Sequence, residues 1–257
     1  MSFALITGAS RGIGEAIAVE LAKKGIDLIL VARSNEKLEH IGTQLKKQYS
    51  IRVYTYAVDL SNPGAPHQIY EWCKQNEYLV QYLINNAGYG LSGKFEAYSL
   101  SEHIQLMQVN MNAVVELTYL FLPELKQQKE GYIMNIASSA AYQAVPYLGI
   151  YAATKSFVLQ FSRALNYELK ETSVSVTCIS PGATKTGFDE RAKLGPKALK
   201  TAQKVQMKAE DVAKIAVQAL FNKKAEVITG FINKVGAFFV WLLPKKLVER
   251  TAAKIYE

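Results

Sequence analysis

Short apolar runs alternate with helical patterns along most of the chain. Phe3 to Thr7 is a continuous apolar run of strand length. Glu15 to Lys24 has a helical pattern that Gly25 closes. Asp27 to Ala32 (DLILVA) reads as a second strand. Ser34 stands where a helix N-cap belongs, and Leu38, Ile41 and Leu45 beyond it share one helix face. Arg52 to Val58 and Tyr82 to Ile84 read as a third and a fourth strand, with an amphipathic helix around Tyr70 to Lys74 between them. The pattern then predicts one long helix from Leu100 to Lys126 and a strand over Tyr132 to Ile136. A helix from Ile150 to Lys170, a strand over Val174 to Ile179 and a helix over Ala209 to Phe221 follow.

Strands that alternate with helices imply a parallel sheet covered on both faces. With right-handed crossovers this becomes an α/β fold, a doubly wound parallel sheet of Rossmann type. No linker or low-complexity tract divides the 257 residues, so a single domain over 1–257 is expected. The least regular stretch is Pro181 to Met207, and its length suits a lid over residues 187–208. Hydrophobic residues make up 49% and charged residues 20%, which excludes long disorder.

Charge leaves more open. The net of +8 suits nucleic acid, a membrane surface or an anionic small ligand. The absence of a basic helix or an aromatic-interleaved basic patch argues against nucleic acid. Cys73 and Cys178 lie far apart and form no CxxC pair, so a reducing, cytoplasmic setting is expected. Met1-Ser2 lead straight into the first apolar run without a basic leader, so no secretory signal is expected. His40, His67 and His103 are isolated and have no metal-ligand spacing, so no metal site is expected.

The segment Thr7-Gly8-Ala9-Ser10-Arg11-Gly12-Ile13-Gly14 joins the first strand to the first helix. Glycines there permit a tight turn and close approach of a pyrophosphate, which the helix N-terminus then attracts. The end of the second strand selects the nucleotide. A site for NAD places an acid there to hold the ribose 2′-OH. This chain has Val31-Ala32-Arg33-Ser34, and the strand's acid, Asp27, lies at the opposite end. Arg33, with Arg11 in the glycine loop, suits the 2′-phosphate of NADPH.

Tyr151 and Lys155 are four residues apart and share one helix face. Alone this spacing means little, because Tyr70 and Lys74 repeat it. The two pairs differ thirteen residues upstream: Ser138 precedes Tyr151, whereas Ala57 precedes Tyr70. Ser138 also follows a strand end, where ligands bind in open α/β sheets. Ser139 is the rival hydroxyl, and the spacing to Tyr151 favours Ser138.

With Thr7-Gly8, Gly12 and Gly14, Asn85-Asn86-Ala87-Gly88, Asn110, Ser138, Tyr151 with Lys155, and Pro181-Gly182 with Thr186, the chain resembles the short-chain dehydrogenases/reductases over residues 3–230. The resemblance implies an NADPH-dependent oxidoreductase that interconverts a ketone or aldehyde and an alcohol by hydride transfer. Tyr151 would be the general acid/base, Lys155 would lower its pKa and hold the nicotinamide ribose, Ser138 would bind the substrate oxygen, and Asn110 would hold a relay water. Cofactor contacts would come from Gly8, Ser10, Arg11, Gly12, Ile13 and Gly14, from Arg33 and Ser34, and from Asp59 and Leu60. Asn86, Ala87 and Gly88, then Tyr151 and Lys155, then Pro181, Gly182, Thr184 and Thr186 would complete them. Ser138, Tyr142 and Tyr147 are expected on the substrate side, with Tyr89, Gly90 and the lid as further walls. A fairly hydrophobic carbonyl compound and a homodimer or homotetramer are expected. A non-catalytic NADP-binding or membrane-peripheral protein on the same fold is the alternative.

Residues 231–257 fall outside this pattern. The run Val235 to Leu243 is apolar and Pro244-Lys245-Lys246 follow it. At nine residues it is too short to span a membrane, which takes about 20. It is expected to cover the pocket or to pack against a second subunit rather than to contact a membrane.

Overall fold

The computed structural model describes residues 2–256. Strands β1 (Phe3–Thr7), β2 (Asp27–Ala32), β3 (Val53–Ala57), β4 (Val80–Asn85), β5 (Gly131–Ile136) and β6 (Val174–Ser180) enter the main sheet. Strands β7 (Thr184–Lys185) and β8 (Met207–Lys208) pair apart from it, and β9 (Glu226–Ile228) rejoins it. The main sheet is parallel, in the order β3-β2-β1-β4-β5-β6-β9. The order reverses between β1 and β4, and ligands bind at such a switch point, beyond the carboxyl ends of the strands.

Residue alternation along the strands builds two cores. Ile6, Leu30, Ile84 and Met134 face α1 (Gly12–Ala22), α2 (Asn35–Tyr49) and, later in the chain, α9 (Ala209–Phe221). Leu5, Ile29, Leu83 and Ile133 face the opposite way, toward α3 (Ala65–Gln75), α5 (Ala113–Gln127) and α6 (Gly149–Glu168). Leu38, Ile41 and Leu45 are buried on α2 as their spacing predicts. Burial on both faces explains why the strands read as unbroken apolar runs.

A chain of amides ties the second core to the sheet. Asn85 donates to Thr118 Oγ1 at 3.2 Å and to Asn135 Oδ1 at 2.9 Å, and Asn135 donates to Ser162 Oγ at 2.9 Å. Asn135 is fully buried. Asn135→Leu is expected to destabilise the protein by about 1–3 kcal/mol, because it leaves buried polar partners unmatched. Chemical denaturation, read as a lower midpoint at unchanged slope, checks this.

The structure differs from the sequence pattern in four places. The long helix is interrupted: α4 (Leu100–Met107) passes through a π-helical turn, Gln108–Asn112, before α5. The turn carries the buried Asn110, and such wide turns recur at functional sites. The short edge strand β9 has three part-exposed residues, so neither alternation nor a full apolar run marks it. The lid is ordered into α7 (Phe188–Arg191) and α8 (Pro196–Val205), and β8 pairs with β7 at its base.

The tail is the fourth. It folds as α10 (Phe231–Leu242) and α11 (Lys245–Tyr256). Helix α11 buries Val248 and Ala252, the latter against Val145, Leu148 and Ala152. Helix α10 buries no residue, so the apolar run is not covered within this chain. Among the described residues no helix is long and apolar enough to cross a membrane.

Candidate active site

The loop after β1 rises into α1 at Gly12, and its geometry requires glycine. Gly8 has φ 67°, and a Cβ there would lie 2.8 Å from Asn86 Nδ2. A Cβ on Gly14 would lie 2.5 Å from the Gly8 carbonyl oxygen. Gly14 therefore packs the helix start onto the loop and does not line the cleft, contrary to its expected contact role. Asn86 clasps the same loop, donating Nδ2 to the carbonyls of Thr7 at 2.9 Å and Gly8 at 3.2 Å. The Thr7 hydroxyl accepts from the amides of Asn86 and Ala87 at 3.0 and 3.1 Å. The loops after β1 and β4 thus form one rigid floor.

Above this floor runs a cleft of ≈ 530 Å³. Gly8, Ser10, Arg11, Gly12 and Ile13 line its first part, with Arg33, Ser34, Asp59 and Leu60 at one end. Asn86, Ala87 and Gly88 line the middle, Thr186 packs against Gly12 of the glycine loop, and Pro181, Gly182 and Thr184 lie toward the other end, near Ser138, Tyr151 and Lys155. At the first end Arg33 stands 3.6 Å from Asp59 and is half-exposed. Lys37, in the first turn of α2 four residues beyond Arg33, lines the same end. The sequence reading missed it, although its i+4 spacing from Arg33 is visible. The open backbone cradle, the start of α1, Arg33 and Lys37 at one end and Arg11 on the glycine loop fit a dinucleotide carrying phosphates.

At the other end β5 delivers Ser138 and α6 delivers Tyr151 and Lys155. Ser138 is buried, accepts from the Ala140 amide at 3.1 Å and hydrogen-bonds Tyr151. Ser139 also lines the cleft, but its amide is tied to the Pro181 carbonyl at 2.7 Å. Burial pushes the Tyr151 phenol up to about 12, and the Ser138 bond draws it down in part. Lys155 is buried, and that burial holds its ammonium down at about 8. Its Nζ donates to the Ile136 carbonyl at 2.8 Å and lies 5.9 Å from the centre of the Tyr151 ring. The lowering of the Tyr151 pKa by Lys155 that the resemblance implies is therefore not present in this geometry, because the ammonium turns to the strand end.

Asn110 is locked from three sides. Its Nδ2 donates to the Tyr89 carbonyl at 2.9 Å and to Thr154 Oγ1 at 3.0 Å, and its Oδ1 accepts from the Tyr89 amide at 3.1 Å. It does not line the cleft. Its Oδ1 and Lys155 Nζ meet over Gly88, where an added Cβ would lie 3.2 and 3.1 Å from them. Any relay water held by the side chain has only the remaining lone pair of Oδ1 to bind, because both amide hydrogens are committed.

Three expected wall residues lie elsewhere. Tyr142 does not line the cleft; its hydroxyl bonds Ser180 and Glu226, and burial pushes its pKa up. Tyr147 does not line it either, and its carbonyl accepts from the Gly93 amide at 2.7 Å with φ 64°. Gly90 is likewise absent from the lining, whereas Tyr89 is present. In their place the wall is made by Leu148, Phe188, Arg191, Leu194 and Tyr256. Phe188 stacks obliquely on Tyr151, with ring centres 5.2 Å apart, and Arg191 lies over the Tyr89 ring at 4.3 Å. Tyr256 arrives at the end of α11, and burial raises its pKa, with Asp189 adding to the shift. No spacing in the sequence links Tyr256 to Tyr151, because the two meet only through tertiary packing.

Comparison with known proteins agrees with this fold. The model of the short chain dehydrogenase family matches residues 2–197. An uncharacterized oxidoreductase of Staphylococcus aureus (strain USA300) is 31% identical over 221 residues, 86% of this chain and 91% of that protein. A short-chain dehydrogenase from Sphingobium yanoikuyae, solved in complex with NADPH, superposes with a TM-score of 0.83 at 29% identity, over 94% of this chain and 92% of that one. An alcohol dehydrogenase from the archaeon Thermococcus sibiricus, complexed with 5-hydroxy-NADP, gives a TM-score of 0.77 at 30% identity, over 89% and 95%.

Proposed function

The chain belongs to the short-chain dehydrogenases, a family of oxidoreductases, and from that premise we propose that it is an NADPH-dependent reductase of ketones or aldehydes, with the alcohol as product. One observation carries this reading: Ser138, Tyr151 and Lys155 converge at the substrate end of a single cleft whose far end is lined with cations. Bound NADPH would supply the hydride. Arg11, Arg33 and Lys37 would hold its 2′-phosphate end, the amides at the start of α1 its pyrophosphate, and Lys155 its nicotinamide ribose.

The chain's own groups then manage the proton. Ser138 donates to the carbonyl oxygen of the substrate and orients it beside the Tyr151 hydroxyl. Tyr151 passes its proton to that oxygen as negative charge develops. A phenol held up at about 12 keeps its proton at neutral pH, as the acid role in reduction requires. The Lys155 ammonium, held here by the Ile136 carbonyl, would stabilise the phenolate that proton transfer leaves behind by turning toward it once the nicotinamide ribose is bound. The apolar wall from Leu148, Phe188 and Leu194 favours a hydrophobic substrate and excludes water.

Reduction is expected to be level at neutral pH and to fall as pH rises past about 8, where Lys155 loses its charge. A pH profile of kcat/KM over a panel of carbonyl compounds, read by NADPH absorbance, tests this. Lys155→Met should lower the rate and remove that limb; a limb that survives the substitution assigns it to another group. Exposed apolar side chains on the long helices, including Ile104, Tyr119 and Phe157, support assembly as a homodimer or homotetramer. The free, buried Cys73 and Cys178 suit a reducing cytoplasmic setting.

A further inference from the structure

Helix α10 attaches to the body by a narrow face and projects a broad apolar one. Asn233, Ala237 and Val240 are its part-buried positions, and their spacing places them on one side. Asn233 anchors that side by donating to the Thr229 carbonyl at 2.7 Å. Phe231, Ile232, Phe238, Phe239, Trp241 and Leu242 are exposed, Phe231 and Trp241 by 80% and 79%. At 3.6 residues per turn these six cover about half of the helix circumference. An apolar arc of this kind marks an interaction surface.

The surrounding charge identifies the occupant. From Val227 to Val248 the chain carries Lys234, Lys245 and Lys246 and no carboxylate. A second copy docked through the same face about a two-fold axis would bring only the same three lysines, with no acid in the segment to pair them. Anionic lipid headgroups would satisfy them. The helix has 12 residues, far short of the roughly 20 that span a bilayer, so it would lie in the plane of the surface. Trp241 and the two lysines at its carboxyl end suit the headgroup level.

We propose that the outer face of α10, with Lys234, Lys245 and Lys246, docks the protein on the surface of an anionic lipid bilayer. The inference stands apart from the redox reading, because none of these residues lines the cleft. Docking would set the bilayer beside α11, which begins after Leu243-Pro244 and ends at the cleft wall with Tyr256.

Flotation of the full-length chain with vesicles tests it, using phosphatidylcholine alone and phosphatidylcholine mixed with phosphatidylglycerol. The chain should float with the mixed vesicles, and added salt should weaken the association. Phe238→Ser with Trp241→Ser should reduce partitioning at least about tenfold, and Lys245→Glu with Lys246→Glu at least about tenfold. Both pairs are exposed, so the thermal melt and NADPH turnover should stay unchanged. Sedimentation away from both vesicle types, or flotation unaffected by either pair of substitutions, overturns the proposal. So does a dimer that the Phe238/Trp241 variant splits while neither form binds vesicles, an outcome that assigns the face to a second copy.

Discussion

Tyr151→Phe is expected to lower turnover by about 10²–10⁴-fold, the usual contribution of a positioned general acid. The substitution deletes one hydroxyl and little else. The ring remains to pack obliquely on Phe188 at 5.2 Å. NADPH binding, measured by fluorescence titration, should stay within about twofold, because the substitution removes at most one of many cofactor contacts spread along the cleft. A second phenol makes the test sharper. Tyr256 also lines the cleft, and burial raises its pKa as well. It sits on the tail rather than against Ser138, so Tyr256→Phe should move KM and leave kcat within about threefold. If Tyr256→Phe were the variant that loses kcat and Tyr151→Phe the one that keeps it, the roles proposed for the two phenols would be reversed.

The contrast between these phenols shows what the chain discloses before it folds. Tyr151 is legible because its helix, the strand before it and Ser138 thirteen residues upstream are all local features. The glycine loop is legible for the same reason: a strand, a turn that needs Gly8 at φ 67° and a helix start are contiguous. The sheet follows from runs buried on both faces. Tyr256 is not legible, since its approach to the cleft depends on Val248 and Ala252 packing far from their neighbours in sequence. The π-helical turn around Asn110 was hidden because its hydrophobic spacing is close to that of a helix, while its cause is the tertiary clasp on Tyr89 and Thr154. Tyr142 and Tyr147 misled because position after β5 does not fix direction: one hydroxyl turns to Ser180 and Glu226, and the other residue braces a loop by its carbonyl. The tail run was apolar for a reason that burial inside the chain does not supply.

Arg33→Asp is expected to lower the ratio of kcat/KM for NADPH over NADH by about 10²-fold. A charge-assisted hydrogen bond contributes about 1.5–3 kcal/mol, or roughly 10- to 150-fold. The new carboxylate would add repulsion toward a 2′-phosphate and would stand close to Asp59, which Arg33 now meets at 3.6 Å. It would also occupy the strand-end position from which an acid can hold a ribose 2′-OH, so NADH should gain modestly as NADPH loses. Arg33 is half-exposed and screened, which keeps the loss short of abolition. Arg11 and Lys37 remain as further cations lining the cleft. Lys37→Ala should therefore shift the ratio in the same direction by a smaller factor, because a lysine contributes a point charge where arginine contributes a fork. Steady-state kinetics with both cofactors at fixed ionic strength decides the matter. A ratio that Arg33→Asp leaves unchanged would mean that the cations at this end are surface charge with no part in choosing the nucleotide.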